Sequence, residues 1–131
     1  MKLENKNISQ LKKHFWKIFS QYIRQKGADW NGNQTCYTCG LTRHWKKLQG
    51  GHCIPRAACG IELYFDEMNV KPQCFRCNIN LGGNGAEFRR RLVMEYGEKE
   101  VEFMWAKKQL NKKWSKKDYI KKIEEYKLKK L

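Results

Sequence analysis

Cys36-Tyr-Thr-Cys39 and Cys74-Phe-Arg-Cys77-Asn78 are two Cys-x2-Cys corners, and between them run Gly50-Gly51-His52 and Asp66-Glu67-Met68-Asn69. This stretch decides the fold. Each corner aims two sulfurs at one point, so Cys36, Cys39, Cys74 and Cys77 together make a tetrahedral four-thiolate zinc site. Thirty-four residues separate Cys39 from Cys74, more than a short zinc finger holds, so the metal brackets a functional insertion. Closing a loop of that length costs about 3–4 kcal/mol of chain entropy. A structural zinc supplies an apparent ~10–16 kcal/mol near neutral pH, so the metal dominates. Cys53 and Cys59 are left over, and they read as buried small hydrophobes in preference to extra ligands or a disulfide pair.

Around this stretch the chain has the size of a single domain, 1–131, with an N-terminal helix in 1–30, a zinc-bound core in 33–96 and a basic helical region in 97–131. A hydrophobic content of 40% with 13% aromatics excludes a disordered chain, and a charged fraction of 31% argues against a membrane protein. The start, Met-Lys-Leu-Glu-Asn-Lys, lacks the apolar core of a signal peptide, so an intracellular protein with no membrane partner is expected. In that setting paired cysteines mean metal rather than disulfides. The formal net charge is +15 with a pI near 9.7, a field that recruits polyanions, nucleic acid first among them.

Leu11, Phe15, Ile18, Phe19, Tyr22 and Ile23 recur at helical spacing, with Asn7 or Ser9 as the cap and a stop near Gly27; this apolar stripe reads as ordinary core packing. Residues 33–83 read as short strands and loops. Lys47 to Cys53 predicts a strand running up to His52, and Asn69 to Gln73 an edge strand returning beside it, with Pro72 at the edge. A helix then starts at Cys77 or, after Gly82-Gly83, near Asn84, and stops at Gly97. Another covers about 98–110, and Ser115-Lys-Lys-Asp118 opens a last one with Tyr119, Ile120, Ile123, Tyr126 and Leu131 as its apolar positions.

A lone histidine is usually structural, and His14 and His44 keep that reading. His52 differs, because strand, loop, strand and helix are closed by the zinc site and can set its imidazole beside an amide at the helix start. Phosphodiester hydrolysis needs a base for water and a divalent cation for the charge building on the phosphate and on the leaving 3′ oxygen. His52 is the candidate base and Asn78 the candidate cation ligand. Asn69 is the candidate to hold the imidazole, through its other ring nitrogen or an adjacent backbone group.

The layout Cys-x2-Cys, Gly-His, Asp-Glu-x-Asn, Cys-x2-Cys-Asn resembles the HNH, or ββα-metal, endonucleases, and more narrowly the phage NinG/Rap recombination endonucleases. The likeness runs from about Cys36 to the C-terminus and includes Arg56, Phe65 to Asn69, Asn84 and Glu87-Phe-Arg89. It implies an α+β fold in which a small zinc-stapled ββα-metal core is flanked by an N-terminal helix and C-terminal basic helices. It also implies a metal-dependent endonuclease acting on branched DNA such as Holliday junctions and D-loops, with structural Zn²⁺ and catalytic Mg²⁺ or Mn²⁺. By that likeness His52 matches the general base, Asn69 the middle asparagine and Asn78 the metal-binding position. The setting implied is the cytoplasm of a phage-infected or prophage-carrying bacterium, with DNA as partner, a homodimer suited to paired cuts, and recombination proteins nearby. Many HNH enzymes carry Asp immediately before the catalytic His, where this chain has Gly51, as NinG/Rap-type sequences do. Asp66, Glu67, Glu62, or phosphate and water are the alternatives for the missing ligand.

Arg56, Arg89, Arg90 and Arg91 flank the proposed site as phosphate contacts, though at 3.6 residues per turn at most two of the three consecutive arginines face one way. The last segment adds Lys112, Lys113, Lys116, Lys117, Lys121, Lys122, Lys127, Lys129 and Lys130, a basic surface suited to reading DNA shape rather than sequence. The alternative function is a zinc-stapled DNA-binding protein without catalysis.

Overall fold

The computed structural model describes residues 1–110 and 112–129; Lys130 and Leu131, assigned above to the basic last segment, lie outside the described residues. Helix α1 (Ile8–Gln25) opens with a capping box in which the Asn7 side chain accepts from the Gln10 backbone at 2.9 Å and the Gln10 side chain accepts from the Asn7 backbone at 2.9 Å. Strands β1 (Asn33–Thr35) and β2 (Thr42–His44) form an antiparallel hairpin with the first Cys-x2-Cys corner in its turn. A second antiparallel hairpin joins β3 (Gln49–His52) to β4 (Val70–Gln73), with His52 opposite Val70 and Gln49 opposite Gln73.

The connection between β3 and β4 contains a short helix, α2 (Gly60–Tyr64), where loop was expected. Five residues are too few for a 3.6-residue period to show. After the second cysteine corner the chain takes a π-helical turn (Arg76–Asn80), then breaks at Gly82, Gly83 and Asn84, which all have positive φ. Helix α3 (Gly85–Tyr96) follows. Both starts considered from sequence are thus used, one as a turn and one as a helix. Helix α4 (Glu98–Ala106) stops short of residue 110 because Lys107–Gln109 tighten into a 3₁₀ turn, and α5 (Lys116–Lys127) begins on a Ser115–Asp118 capping box. At 12 residues α5 is about 18 Å long, shorter than the lysine run suggests.

Two apolar clusters hold these elements. Leu11, Phe15, Phe19 and Ile23 of α1 pack against Tyr119, Ile123 and Tyr126 of α5, with Phe65 and Val70 closing the cluster from the β3–β4 unit. The Phe15 and Phe65 rings are 4.5 Å apart between centroids. Burying each such phenyl contributes about 1.5–3 kcal/mol, so α1 is fixed against the hairpin by its own core face. The second cluster joins Cys53, Ile54, Cys59 and Leu63 to Phe88 and Leu92 of α3 and Val101 and Met104 of α4. Cys53 and Cys59 are free thiols buried there, and burial pushes both above the ordinary cysteine value. Among the described residues no helix is long and apolar enough to cross a membrane.

Candidate active site

The sulfurs of Cys36, Cys39, Cys74 and Cys77 all lie within 4.8 Å of one another, and those of Cys39 and Cys74 are 3.7 Å apart. A tetrahedron with Zn–S bonds of about 2.3 Å places sulfurs about 3.8 Å apart, so the four fit a structural zinc. Leu48 packs beneath the cluster with Cys36, Cys74 and Cys77. Backbone amides also support the donor set: the Cys77 N–H lies 3.5 Å from the Cys74 sulfur. The first corner sits in the β1–β2 turn and the second directly after β4, so the metal would tie one hairpin to the other.

His52 ends β3 at only 8% exposure. Its ring stacks on Trp16 of α1 at 5.2 Å and 23°, and Nε2 lies 2.9 Å from the Tyr64 carbonyl oxygen. A carbonyl can only accept, so Nε2 carries the hydrogen and Nδ1 keeps its lone pair. No described residue hydrogen-bonds to Nδ1. Burial, with Arg56 nearby adding to it, lowers the imidazole from 6.5 to about 4 despite the Tyr64 bond, so at neutral pH the ring is an unprotonated acceptor.

Asn69 is fully buried and does not touch the imidazole. Its Oδ1 accepts from Ile54 N–H at 2.8 Å, while its Nδ2 donates to Leu63 O at 2.9 Å and Ile54 O at 3.3 Å. Of the two ways it was expected to act, the bond to the second ring nitrogen is absent and the backbone route is present. It pins the residue after Cys53 to the end of α2, one residue before the Tyr64 carbonyl that orients His52. Asn69 therefore braces the chain around His52 and does not itself line the cavity that holds His52.

Asn78 lies in the π-helical turn and donates through Nδ2 to Gln49 Oε1 at 2.7 Å. That bond aims the amide and leaves Oδ1 without a partner among the described residues. His52, Asn78, Arg56, Gln49 and Gly50 line one cavity of about 550 Å³, and Trp16, Ser20 and Arg24 of α1 form its other wall. Among the described residues no carboxylate lines it. Glu62 bonds Trp114 Nε1 and faces Lys112, Asp66 binds the Met68 backbone and Lys107, and Glu67 binds Tyr126 with Lys26 and Lys129. None of these three supplies the ligand absent at Gly51.

The reason Gly51 carries no side chain lies across the hairpin. A Cβ there would sit 1.8 Å from Gln73 Oε1. Gln73 is fully buried, donating to Thr38 Oγ1 at 3.1 Å and Gly83 O at 2.9 Å, so its side chain fills the space beside Gly51. At Gly50 a Cβ would meet Ser20 Oγ at 3.0 Å, and its absence lets α1 approach β3.

The flanking cations divide. Arg89 pairs with Glu98 at 3.0 Å, and Arg90 and Arg91 both pair with Glu87, at 2.6 and 3.2 Å. Their charge is matched on the surface of α3, and none lines the cavity. Lys116 donates to the Glu4 carbonyl, while Lys117 and Lys121 make no ion pair among the described residues. Arg56 does line the cavity. The wall from α1 was missed by reading that helix for its core face alone. Trp16, Ser20 and Arg24 recur at i, i+4, i+8, a second stripe legible in the sequence. Gln49 and Gln73 left no such signal, since their roles come from strand register.

Comparison with known proteins finds relatives among phage proteins. Two curated relatives, each named protein ninG, come from Escherichia phage 933W and Enterobacteria phage VT2-Sa. Each is 27% identical over 106 residues, covering 77% of this chain and 50% of the relative. The chain thus spans about half the length of the curated relatives it matches. No solved structure matches it. The family model described as Bacteriophage Lambda NinG protein matches residues 1–131 throughout, and by that match the chain belongs to the NinG family.

Proposed function

We propose that this NinG-family chain is a metal-dependent DNA endonuclease of the HNH, or ββα-metal, type that cuts branched DNA. One observation carries the reading: a buried neutral histidine with a free Nδ1 and an asparagine with a free Oδ1 line one cavity beside two arginines. The β3–β4 hairpin and the turn after it supply the two strands and the helical element of that fold type. His52 Nδ1 takes a proton from the attacking water. The P–O bond to that water forms, the bond to the 3′ oxygen breaks, and solvent protonates the departing oxygen. Asn78 Oδ1 would hold a Mg²⁺ or Mn²⁺ ion, which when bound would neutralise charge on the phosphate and the leaving oxygen. With no carboxylate among the described residues that line the cavity, phosphate oxygens and water would have to supply the remaining ligands, in keeping with the waters Mg²⁺ commonly retains. The four cysteines hold a structural zinc. The +15 charge supports a polyanionic substrate, and paired cuts in a branched substrate suit a homodimer working with recombination proteins in the host cytoplasm.

The absence of a carboxylate at Gly51 favours, as the second reading, a zinc-stapled DNA-binding protein without catalysis. Zinc-loaded protein incubated with a four-way junction, a linear duplex and a single strand separates the two. Each substrate is tested with Mg²⁺, with Mn²⁺ and with neither, beside His52→Ala. Nicking of the junction that needs Mg²⁺ or Mn²⁺ and vanishes in the variant supports the endonuclease; tight binding without product supports the second reading. Equal cutting of all three substrates removes the preference for branches.

A further inference from the structure

Arg24 stands out among the cations because it is held in place without being neutralised. Its Nε donates to the Ser20 backbone carbonyl at 3.1 Å and to Ser20 Oγ at 3.2 Å, and its guanidinium lies over the Trp45 ring at 5.3 Å. It is half-buried, forms no ion pair with any described residue, and lines the cavity that holds His52 and Asn78. Neither Nη group donates to any described residue. The α3 arginines differ in being ion-paired, Arg89 with Glu98 and Arg90 and Arg91 with a shared Glu87, and in lying outside that cavity.

A guanidinium whose Nε is already committed cannot wander, and its remaining donors form a planar fork that matches two oxygens of a phosphate. Its rotamer entropy is spent in the folded protein rather than at the moment of binding. We propose that Arg24, oriented by Ser20 and Trp45, is the binding site for the non-bridging oxygens of the scissile phosphodiester. This rests on the endonuclease reading above. Arg24 exchanges no proton; it stabilises the negative charge that grows on the phosphate as water adds and the 3′ oxygen departs. It also supplies, from a helix outside the zinc-bracketed stretch, positive charge in a cavity where the cation has few protein ligands.

Two measurements on zinc-loaded full-length protein test it. The first follows the Arg24 Nε–Hε resonance during titration with inorganic phosphate, against chloride at equal ionic strength and with exposed Arg43 as the internal control. A saturable shift confined to Arg24 is expected, and an unmoved or Arg43-like response overturns the proposal. The second compares single-turnover cleavage of a junction at saturating protein, together with junction affinity without Mg²⁺ or Mn²⁺. Arg24→Ala should lower the rate about 10²–10³-fold while affinity changes less than about threefold, since one phosphate contact in many is lost. Arg24→Lys, which keeps charge and fold, should recover less than about a tenth of the rate because a point charge lacks the fork. Ser20→Ala should lower the rate without the full loss. An unchanged rate in Arg24→Ala, or full activity in Arg24→Lys, overturns the proposal, as does a loss that disappears at saturation. A wild type that cuts nothing refutes the endonuclease reading instead, and the phosphate titration then decides Arg24 alone.

Discussion

Replacing Gly51 by alanine is the sharpest test of how the hairpin is built. The new Cβ would lie 1.8 Å from Gln73 Oε1, 2.6 Å from Cδ and 2.9 Å from Cγ, so three atoms of one side chain stand in its way. A glutamine end can usually swing aside. This one is fully buried and anchored by Thr38 and Gly83, and moving it strands polar groups in a dry interior. Each buried group left unpaired costs about 1–3 kcal/mol, and forcing the strands apart instead costs a similar ~1–3 kcal/mol of overpacking. Gly51→Ala should therefore lose about 2–5 kcal/mol, a large part of the ~5–15 kcal/mol that holds a typical domain.

The assay is urea unfolding of zinc-saturated protein for Gly51→Ala, Gln73→Ala and the double variant. Gln73→Ala alone should also destabilise, through the unpaired Thr38 hydroxyl and Gly83 carbonyl. In the double variant the space is open, and alanine in a strand is favoured over glycine by about 0.5–1 kcal/mol. The second substitution should then be nearly free, giving a coupling energy of at least ~1 kcal/mol. A Gly51→Ala protein within about 0.5 kcal/mol of wild type, or strictly additive variants, would refute the steric account. The same geometry predicts that Gly51→Asp alone gains no cation affinity, because the carboxylate meets Gln73 before it reaches the cavity.

His52 predicts a pH dependence. Its folded value near 4 lies below the ordinary 6.5, so between those limits the unfolded chain binds more protons and stability falls as pH falls, by up to about 3 kcal/mol in all. The loss is complete below pH 4 and absent above about 6.5; a His52→Gln variant that keeps the same acid slope in urea midpoints contradicts it. The acid limb of cleavage should sit nearer pH 4 than 6.5, checked by single-turnover rates across pH. Cys74→Ser should lose stoichiometric zinc and most of the folded population, read by metal analysis and circular dichroism; a normal melt without zinc removes the staple. Asn69→Ala gives up hydrogen bonds to Ile54 and Leu63 and should cost about 2–4 kcal/mol in chemical denaturation.

The zinc cysteines and the β3–β4 pair were legible because each leaves a short-range mark: Cys-x2-Cys spacing, and a Pro72-bearing edge strand opposite a glycine-rich one. That His52 and Asn78 lie at one cavity was legible as a pairing but not as a geometry. What orients them is Tyr64 O and Gln49 Oε1, a backbone atom and an uncharged side chain whose types say nothing about their task. The missing carboxylate had a local cause invisible in one dimension, since Gln73 reaches Gly51 across the strands from two residues off the Gly51–Lys71 pair. Helix α1 was read correctly for its core and incompletely for its function, because Leu11, Phe15, Phe19 and Ile23 satisfy a 3.6-residue period so well that the adjoining Trp16, Ser20, Arg24 stripe looks like its polar flank.

That double use of α1 explains how a small hairpin can hold His52 still. Strand β3 is only four residues long, and two strands alone are marginal in water. The imidazole is instead clamped from two directions by parts that do not belong to the hairpin, the Trp16 ring on its face and the Tyr64 carbonyl at Nε2, while Asn69 braces the chain that carries that carbonyl. Trp16 is itself fixed because the next face of the same helix is locked to α5 and Phe65. Removing the α1–α5 core should therefore loosen the site without touching any residue in it. Ile123→Ala in α5, fully buried, should cost about 2–5 kcal/mol of stability. Below its melting point it should also broaden the His52 ring resonances and slow cleavage, while four thiolates remain to bind zinc. Sharp His52 signals and wild-type rates in that variant would mean the hairpin and the cysteine corners hold the histidine unaided.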